Sequence, residues 1–129
     1  MPVIGFGTNE FPAFLVRSSR QPACGRVDTP EEAAKICQKH WDFSGAGLIF
    51  AQPVSADLSL DPVELETALA RAEKKAVEGG IFGPALSPFL LARLAELTDG
   101  KSVKANQALV VENARLAARI ASIICTSLS

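Results

Sequence analysis

The chain has 129 residues and a net charge of −1, and it is 48% hydrophobic and 21% charged. Those values describe one domain, residues 1–129, with a modest core. Basic and acidic residues are interspersed, which argues against a nucleic-acid surface, and the apolar runs are too short or too interrupted to span a membrane. Cys24, Cys37 and Cys125 are an odd set with no metal-ligand spacing. They read as free thiols in a reducing compartment, and a cytoplasmic location is expected.

The first predicted element is a short buried strand over Pro2–Phe6, beginning almost at the first residue. A core strand with nothing before it suggests part of something longer. Gly7-Thr8-Asn9 reads as a turn, and Pro12 rules out a central strand over residues 10–14, where Phe11 and Phe14 are expected to anchor a loop on the core. Glu10 beside them reads as a solvated or capping carboxylate, with a site role as the other possibility. Arg17-Ser18-Ser19-Arg20 is either an exposed loop or, because arginine presents a fork of donors, a place for a phosphate. Gln21–Val27 reads as irregular, with Arg26 and Asp28 placed to pair.

Thr29-Pro30-Glu31-Glu32 predicts a helix start with Thr29 as cap, Pro30 in the first turn and Glu32 completing a capping box. That helix is expected to run to about Lys39, with Ala33, Ile36 and Cys37 inward. His40 has no partner at metal spacing and reads as a surface or helix-end residue. Ala46–Ala51 is the clearest strand, apolar on both faces, as suits a central parallel strand covered by helices. Gln52-Pro53-Val54 at its end lies where open α/β sheets bind ligands. Asp61-Pro62 opens a helix to about Glu78, with Val63, Leu65, Leu69, Ala70, Ala76 and Val77 as its apolar contacts. A further helix is predicted from Ser87-Pro88 through Leu97.

The last stretch, Ser102 to about Thr126, is an uninterrupted run of helix formers with Ser102 as its predicted N-cap. Val103, Asn106, Val110, Asn113, Ala117, Ile120 and Ile124 recur at spacings of three and four, widened by Leu109, Leu116 and Ile123. Two asparagines therefore interrupt an apolar stripe. A buried carboxamide is costly unless bonded, so each either meets a neighbouring backbone or points into a polar pocket. The expected class is α/β, with two short strands and four or more helices.

No complete catalytic constellation is present: no HExxH, nucleophile elbow, P-loop or GxGxxG. The ordered set of motifs goes further. Gly5-Phe6-Gly7-Thr8-Asn9-Glu10-Phe11-Pro12-Ala13-Phe14, Arg17-Ser18-Ser19, Arg26-Val27-Asp28, Thr29-Pro30-Glu31-Glu32 and Gly47–Val54 resemble, in order, signatures of the pseudouridine-5'-phosphate glycosidase family, also called the indigoidine synthase A family. Residues 87–98, Ala105-Asn106-Gln107-Ala108-Leu109-Val110 and Asn113-Ala114-Arg115 continue the resemblance to its end.

The resemblance implies the C-terminal part of an α/β/α glycosidase fold that assembles as a trimer. The family reaction is reversible cleavage of the C–C glycosidic bond of pseudouridine 5'-phosphate to uracil and ribose 5-phosphate. The implied mechanism uses a lysine amine, a glutamate for proton transfer and a divalent metal, typically manganese. By the same resemblance the lysine, the glutamate and an aspartate that binds the metal all lie upstream of Pro2, so no catalytic residue and no metal ligand is assigned here. None of Lys35, Lys39, Lys74, Lys75, Lys101 or Lys104 is promoted in their place. Asn106 matches the family's substrate-proximal asparagine, with Asn113 two turns away as the competing placement. Asn9, Leu15-Val16, Arg20, Gln52 and Glu112 depart from the family pattern, which would have Asp, a more polar or aromatic pair, Gly, Asn and Asn there. The chain is thus expected to be inactive alone; the alternative is a noncatalytic structural or assembly module diverged from that enzyme.

Overall fold

The computed structural model describes residues 1–43 and 45–127. Three strands, β1 (Val3–Phe6), β2 (Gly25–Val27) and β3 (Ile49–Ala51), form a parallel sheet in the order β2-β1-β3. Ile4 pairs with Gly25 on one side and Phe50 on the other. Four α-helices are described: α1 (Pro30–Phe43) lies between β2 and β3, and α2 (Pro62–Glu78), α3 (Leu86–Leu97) and α4 (Lys101–Ser127) follow β3. Among the described residues no helix is long and apolar enough to cross a membrane.

The α/β class and the helix count agree with expectation, but the sheet has three strands rather than two. The extra one, β2, lies in the stretch expected to be irregular because Pro22 and Gly25 are breakers and only Arg26 and Val27 come between them and Asp28. Its place comes from pairing with β1, not from local propensity. Val27 turns its side chain into the core while Arg26 meets Asp28 at 2.7 Å in an exposed pair. The chain returns tightly after β1: a Cβ on Gly5 would stand 2.1 Å from Thr8 O, so only glycine fits there.

Two apolar clusters hold the fold. In the first, Ala33, Ala34 and Cys37 of α1 and Leu116 and Ile120 of α4 pack on Ile4 and Val27. Both helices meet this face of the sheet; on the other, Ile49 stays partly open to solvent. In the second, Leu15, Val16, Val54 and Leu60 close over Ala105 and Leu109. Leu15 and Val16, not Phe11 and Phe14, therefore anchor the loop after β1; both phenylalanines remain about half exposed.

The predicted helical faces need two corrections. On α2 the buried residues are Ala68, Ala72 and Ala76, which let α3 approach closely, while Val63 and Val77 face outward. On α4 the buried residues are Ser102, Ala105, Leu109, Leu116 and Ile120. The stripe through Val103, Asn106, Val110 and Asn113 lies to one side of that face, with Val110 62% exposed. Apolar residues lie nearly all round α4, so periodicity leaves its facing open, and small residues at 102 and 105 permit the closest contact.

The helix starts also differ from expectation. At α1, Thr29 Oγ1 accepts from Glu32 N–H at 3.2 Å as predicted, but the Glu32 carboxylate reaches Asp28 N–H at 2.8 Å, one residue beyond the expected box partner. The helix then continues four residues past Lys39. Ser87 does not cap α3, which begins at Leu86 after a 3-10 turn at Gly83–Ala85. Ser102 lies inside α4 rather than capping it. The cap comes from Thr98, whose hydroxyl donates to Leu94 O at 2.6 Å and accepts from Ser102 N–H at 3.2 Å. Asp99 and Gly100, at φ 51 and 77, turn the corner between α3 and α4.

Thr98 is 1% exposed. Thr98→Val keeps its shape and removes both hydroxyl bonds, leaving Ser102 N–H unpaired. We expect a loss of about 1–3 kcal/mol, read as a lower urea midpoint at unchanged m-value.

Candidate functional site

Parallel strands present their C-terminal ends together, and there the chain brings Phe6, Asp28 and Gln52 to one edge. Helix α4 crosses this edge. Gln52 Nε2 donates to Asn113 Oδ1 at 2.9 Å, tying the end of β3 to the helix. A cleft of about 420 Å³ lies beside that bond, with Arg115, Arg119 and Glu112 on the α4 side. Its charges are largely matched: Arg115 pairs with Glu112, and Asp28 with Arg26.

Asn106 sits two turns earlier on α4, between the loop after β1 and α3. It is half-buried and lines a cleft of about 250 Å³ with Phe14, Leu15, Leu91 and Ser102. Among the described residues its carboxamide has no hydrogen-bond partner, in contrast to that of Asn113. Phe14 at the same cleft has φ 42, a left-handed conformation that a bulky residue adopts at a cost of about 1–3 kcal/mol. A strained backbone at Phe14 and an unpaired carboxamide at Asn106 thus meet in one cleft. The carboxamide offers a donor and an acceptor without charge, suited to a hydroxyl or carbonyl of a ligand.

The loop that carries Phe14 is internally bonded. Arg17 Nη1 donates to Val54 O at 2.6 Å, fixing the loop to the segment after β3. Ser18 donates to the Glu10 carboxylate and Ser19 to the Phe11 carbonyl. Both hydroxyls proposed for a phosphate are therefore turned into the loop itself. The Ser18 hydroxyl, and after it the Arg20 backbone N–H, hold the Glu10 carboxyl below the usual carboxylate range. Nothing in the residue pattern signals the left-handed turn at Phe14, because such turns ordinarily take glycine or asparagine.

Other groups named from the sequence have structural positions. Asp61 caps α2 through Val63 and Glu64 N–H, and Lys101 pairs with Glu64 at 3.0 Å. Those contacts occupy Asp61, Glu64 and Lys101 in the 330 Å³ hollow that they line with Asp57 and Lys104. Burial pushes the Cys37 thiol up, away from the reactive thiolate. Among the described residues no three His, Cys, Asp or Glu side chains converge to hold a metal. The donor set of these residues does not fit manganese, and no step is routed through it.

The family model described as Indigoidine synthase A like protein matches residues 1–123. The pseudouridine-5'-phosphate glycosidase of Rhodospirillum centenum is 47% identical over 119 residues, covering 92% of this chain and 37% of that protein. The pseudouridine-5'-phosphate glycosidase 2 of Rhizobium johnstonii is 49% identical over 122 residues, covering 94% and 40%. The chain thus spans about two fifths of the length of these relatives, matching their C-terminal portion. Among solved structures, the prealnumycin C-glycosynthase AlnA in complex with ribulose 5-phosphate superposes with a TM-score of 0.86 at 30% identity, covering 99% of this chain and 42% of that one. An indigoidine synthase A-like protein from Thermotoga maritima superposes with a TM-score of 0.78 at 36% identity, covering 94% and 40%.

The two asparagines are expected to respond differently to truncation. Asn113→Ala removes the bond to Gln52 and should cost about 0.5–1.5 kcal/mol, whereas Asn106→Ala, which breaks no bond, should leave the thermal midpoint near the parental value. Calorimetric melts of both variants check this.

Proposed function

Because this chain belongs to the indigoidine synthase A like family, we propose that it supplies the C-terminal part of a pseudouridine-5'-phosphate glycosidase. The complete enzyme would cleave the C–C bond between uracil and ribose 5-phosphate with uptake of water, or join the two in reverse. The observation that carries this reading is 47% identity across 92% of the chain to a protein of that name. The ribulose 5-phosphate in the AlnA complex supports a sugar phosphate as the class of ligand.

Asn106 is the substrate contact in this reading, its unpaired carboxamide meeting the sugar or base. The nucleophilic lysine, the proton-transferring glutamate and the ligands of any manganese belong to polypeptide outside these residues. Breaking a C–C bond to a base offers no readily protonated leaving oxygen or nitrogen, so an amine nucleophile is the fitting chemistry. A second reading, a noncatalytic assembly module, draws on one observation: the chain spans 37% of the Rhodospirillum centenum enzyme. Cys24, Cys37 and Cys125 form no disulfide, which accords with a reducing, cytoplasmic setting.

The test is complementation. Alone, the chain should release no uracil and form no borohydride-trapped adduct with ribose 5-phosphate. Mixed with the unmatched N-terminal portion of the Rhodospirillum centenum enzyme, it should release uracil. Asn106→Ala should then lower the rate more than tenfold, roughly 1.4 kcal/mol or more in the transition state. An adduct on a lysine of the isolated chain would overturn the assignment of catalysis to outside residues. An inactive mixture of two folded parts would favour the assembly module.

The same reading includes assembly. Parallel sheets are ordinarily covered on both faces, and here the Ile49 face is partly open. The purified chain should therefore sediment as an oligomer, a homotrimer being the expected species, or require its complementing part. A monodisperse monomer with a cooperative melt contradicts that.

A further inference from the structure

The loop between β1 and β2 is closed by contacts that the functional reading leaves unused. Its two arms run antiparallel: Phe11 N–H donates to Gln21 O at 2.8 Å, Ala23 N–H to Asn9 O at 3.0 Å, and Glu10 bridges to Pro22. Glu10 is the hub of this neck. One carboxylate oxygen, Oε2, accepts from the Ser18 hydroxyl and from Arg20 N–H at 3.1 Å. Its own N–H donates to Thr8 Oγ1 at 3.1 Å. Beyond the neck the chain turns at Phe14, buries Leu15 against the cluster containing Ala105, and leaves Phe14 as a wall of the Asn106 cleft.

We propose that Glu10 is a positioning residue: by gripping Ser18 and Arg20 it closes the loop neck and holds Phe14 in place at the Asn106 cleft. A carboxylate accepts only, and both of its donors lie on the returning arm, so the contact joins the arms instead of turning back on its own segment. Removing it leaves the Ser18 hydroxyl without its acceptor and Arg20 N–H with only Ser18 Oγ at 3.3 Å, so the neck is left to its backbone bridge and the Ser19 bond to Phe11 O. Arg17, bonded to Val54 O, fixes the far side of the tip. Glu10 and Arg17 thus bracket Phe14 from both sides.

The proposal rests on the functional reading for its consequence in catalysis but not for its geometry, and the test separates the two. Limited chymotrypsin cleavage of the full chain, without ligand, reports opening of the loop at the Phe14–Leu15 bond, since Pro12 protects the bond after Phe11. Glu10→Ala should raise cleavage at Phe14 at least about tenfold while the melt of the whole chain stays near parental. Glu10→Gln, which retains an acceptor, should stay within about threefold of parental. In the complemented enzyme, Glu10→Ala should raise KM for pseudouridine 5'-phosphate about tenfold or more with a smaller change in kcat.

Parental cleavage in Glu10→Ala overturns the proposal, as does faster cleavage spread evenly along the chain with a lowered melt. A loosened loop with unchanged KM also overturns it. If the parental mixture shows no activity, the functional reading fails instead, and the cleavage pattern alone decides the role of Glu10.

Discussion

Burial of α4 in two separate clusters is the constraint on which the arrangement depends. Its later turns place Leu116 and Ile120 under the sheet with α1, and its earlier turns place Ala105 and Leu109 under Leu15, Val16 and Val54. A rotation or slide of the helix would disturb both clusters at once, and close-packed interiors tolerate neither. The position of Asn106 relative to the loop is therefore fixed indirectly, by apolar contacts on a neighbouring face of the same helix. The Thr98 corner sets where that helix begins, so α3 shares in the same registration.

The polar groups divide into those that hold the fold and those left available. Gln52 and Asn113 satisfy each other across the end of β3, and Arg17 satisfies the carbonyl of Val54. Asn106 lacks such a partner among the described residues. Two carboxamides of the same type, two turns apart, thus have opposite status, and the difference arises from what the neighbouring loops present to them.

Much of the fold was legible where local rules suffice. Pro62 after Asp61 and the Thr29 cap located α2 and α1 because capping and proline placement act within a few residues, whereas the apolar run before Gln52 marked a strand but not its place: expected as central over residues 46–51, β3 is a short edge strand beside β1. Strand β2 was missed because three residues carry too little pattern, and only the partner strand defines it. The buried faces of α2 and α4 were misjudged for a related reason: alanine and serine read as neutral in a hydrophobic stripe, yet they are the residues that permit close helix contact. At the candidate site, the interrupted apolar stripe drew attention to Asn106 and Asn113, and only the resemblance chose between them. The strained Phe14 and the inward Ser18 and Ser19 depend on three-dimensional closure of the loop, which no spacing rule encodes.

Strand β1 is central, yet the residues that cover it arrive late. Ile4 belongs to the same cluster as Ile120, and its sheet partner Phe50 follows only after the α1 crossover. At ordinary translation rates, on the order of ten seconds separate the emergence of Ile4 from that of Ile120. During that interval the central strand has an unfinished sheet and no α4 beneath it. Native pairings of this kind close long stretches of chain and form slowly. Synthesis of the last turns of α4 is thus the event that completes the cover of the central strand.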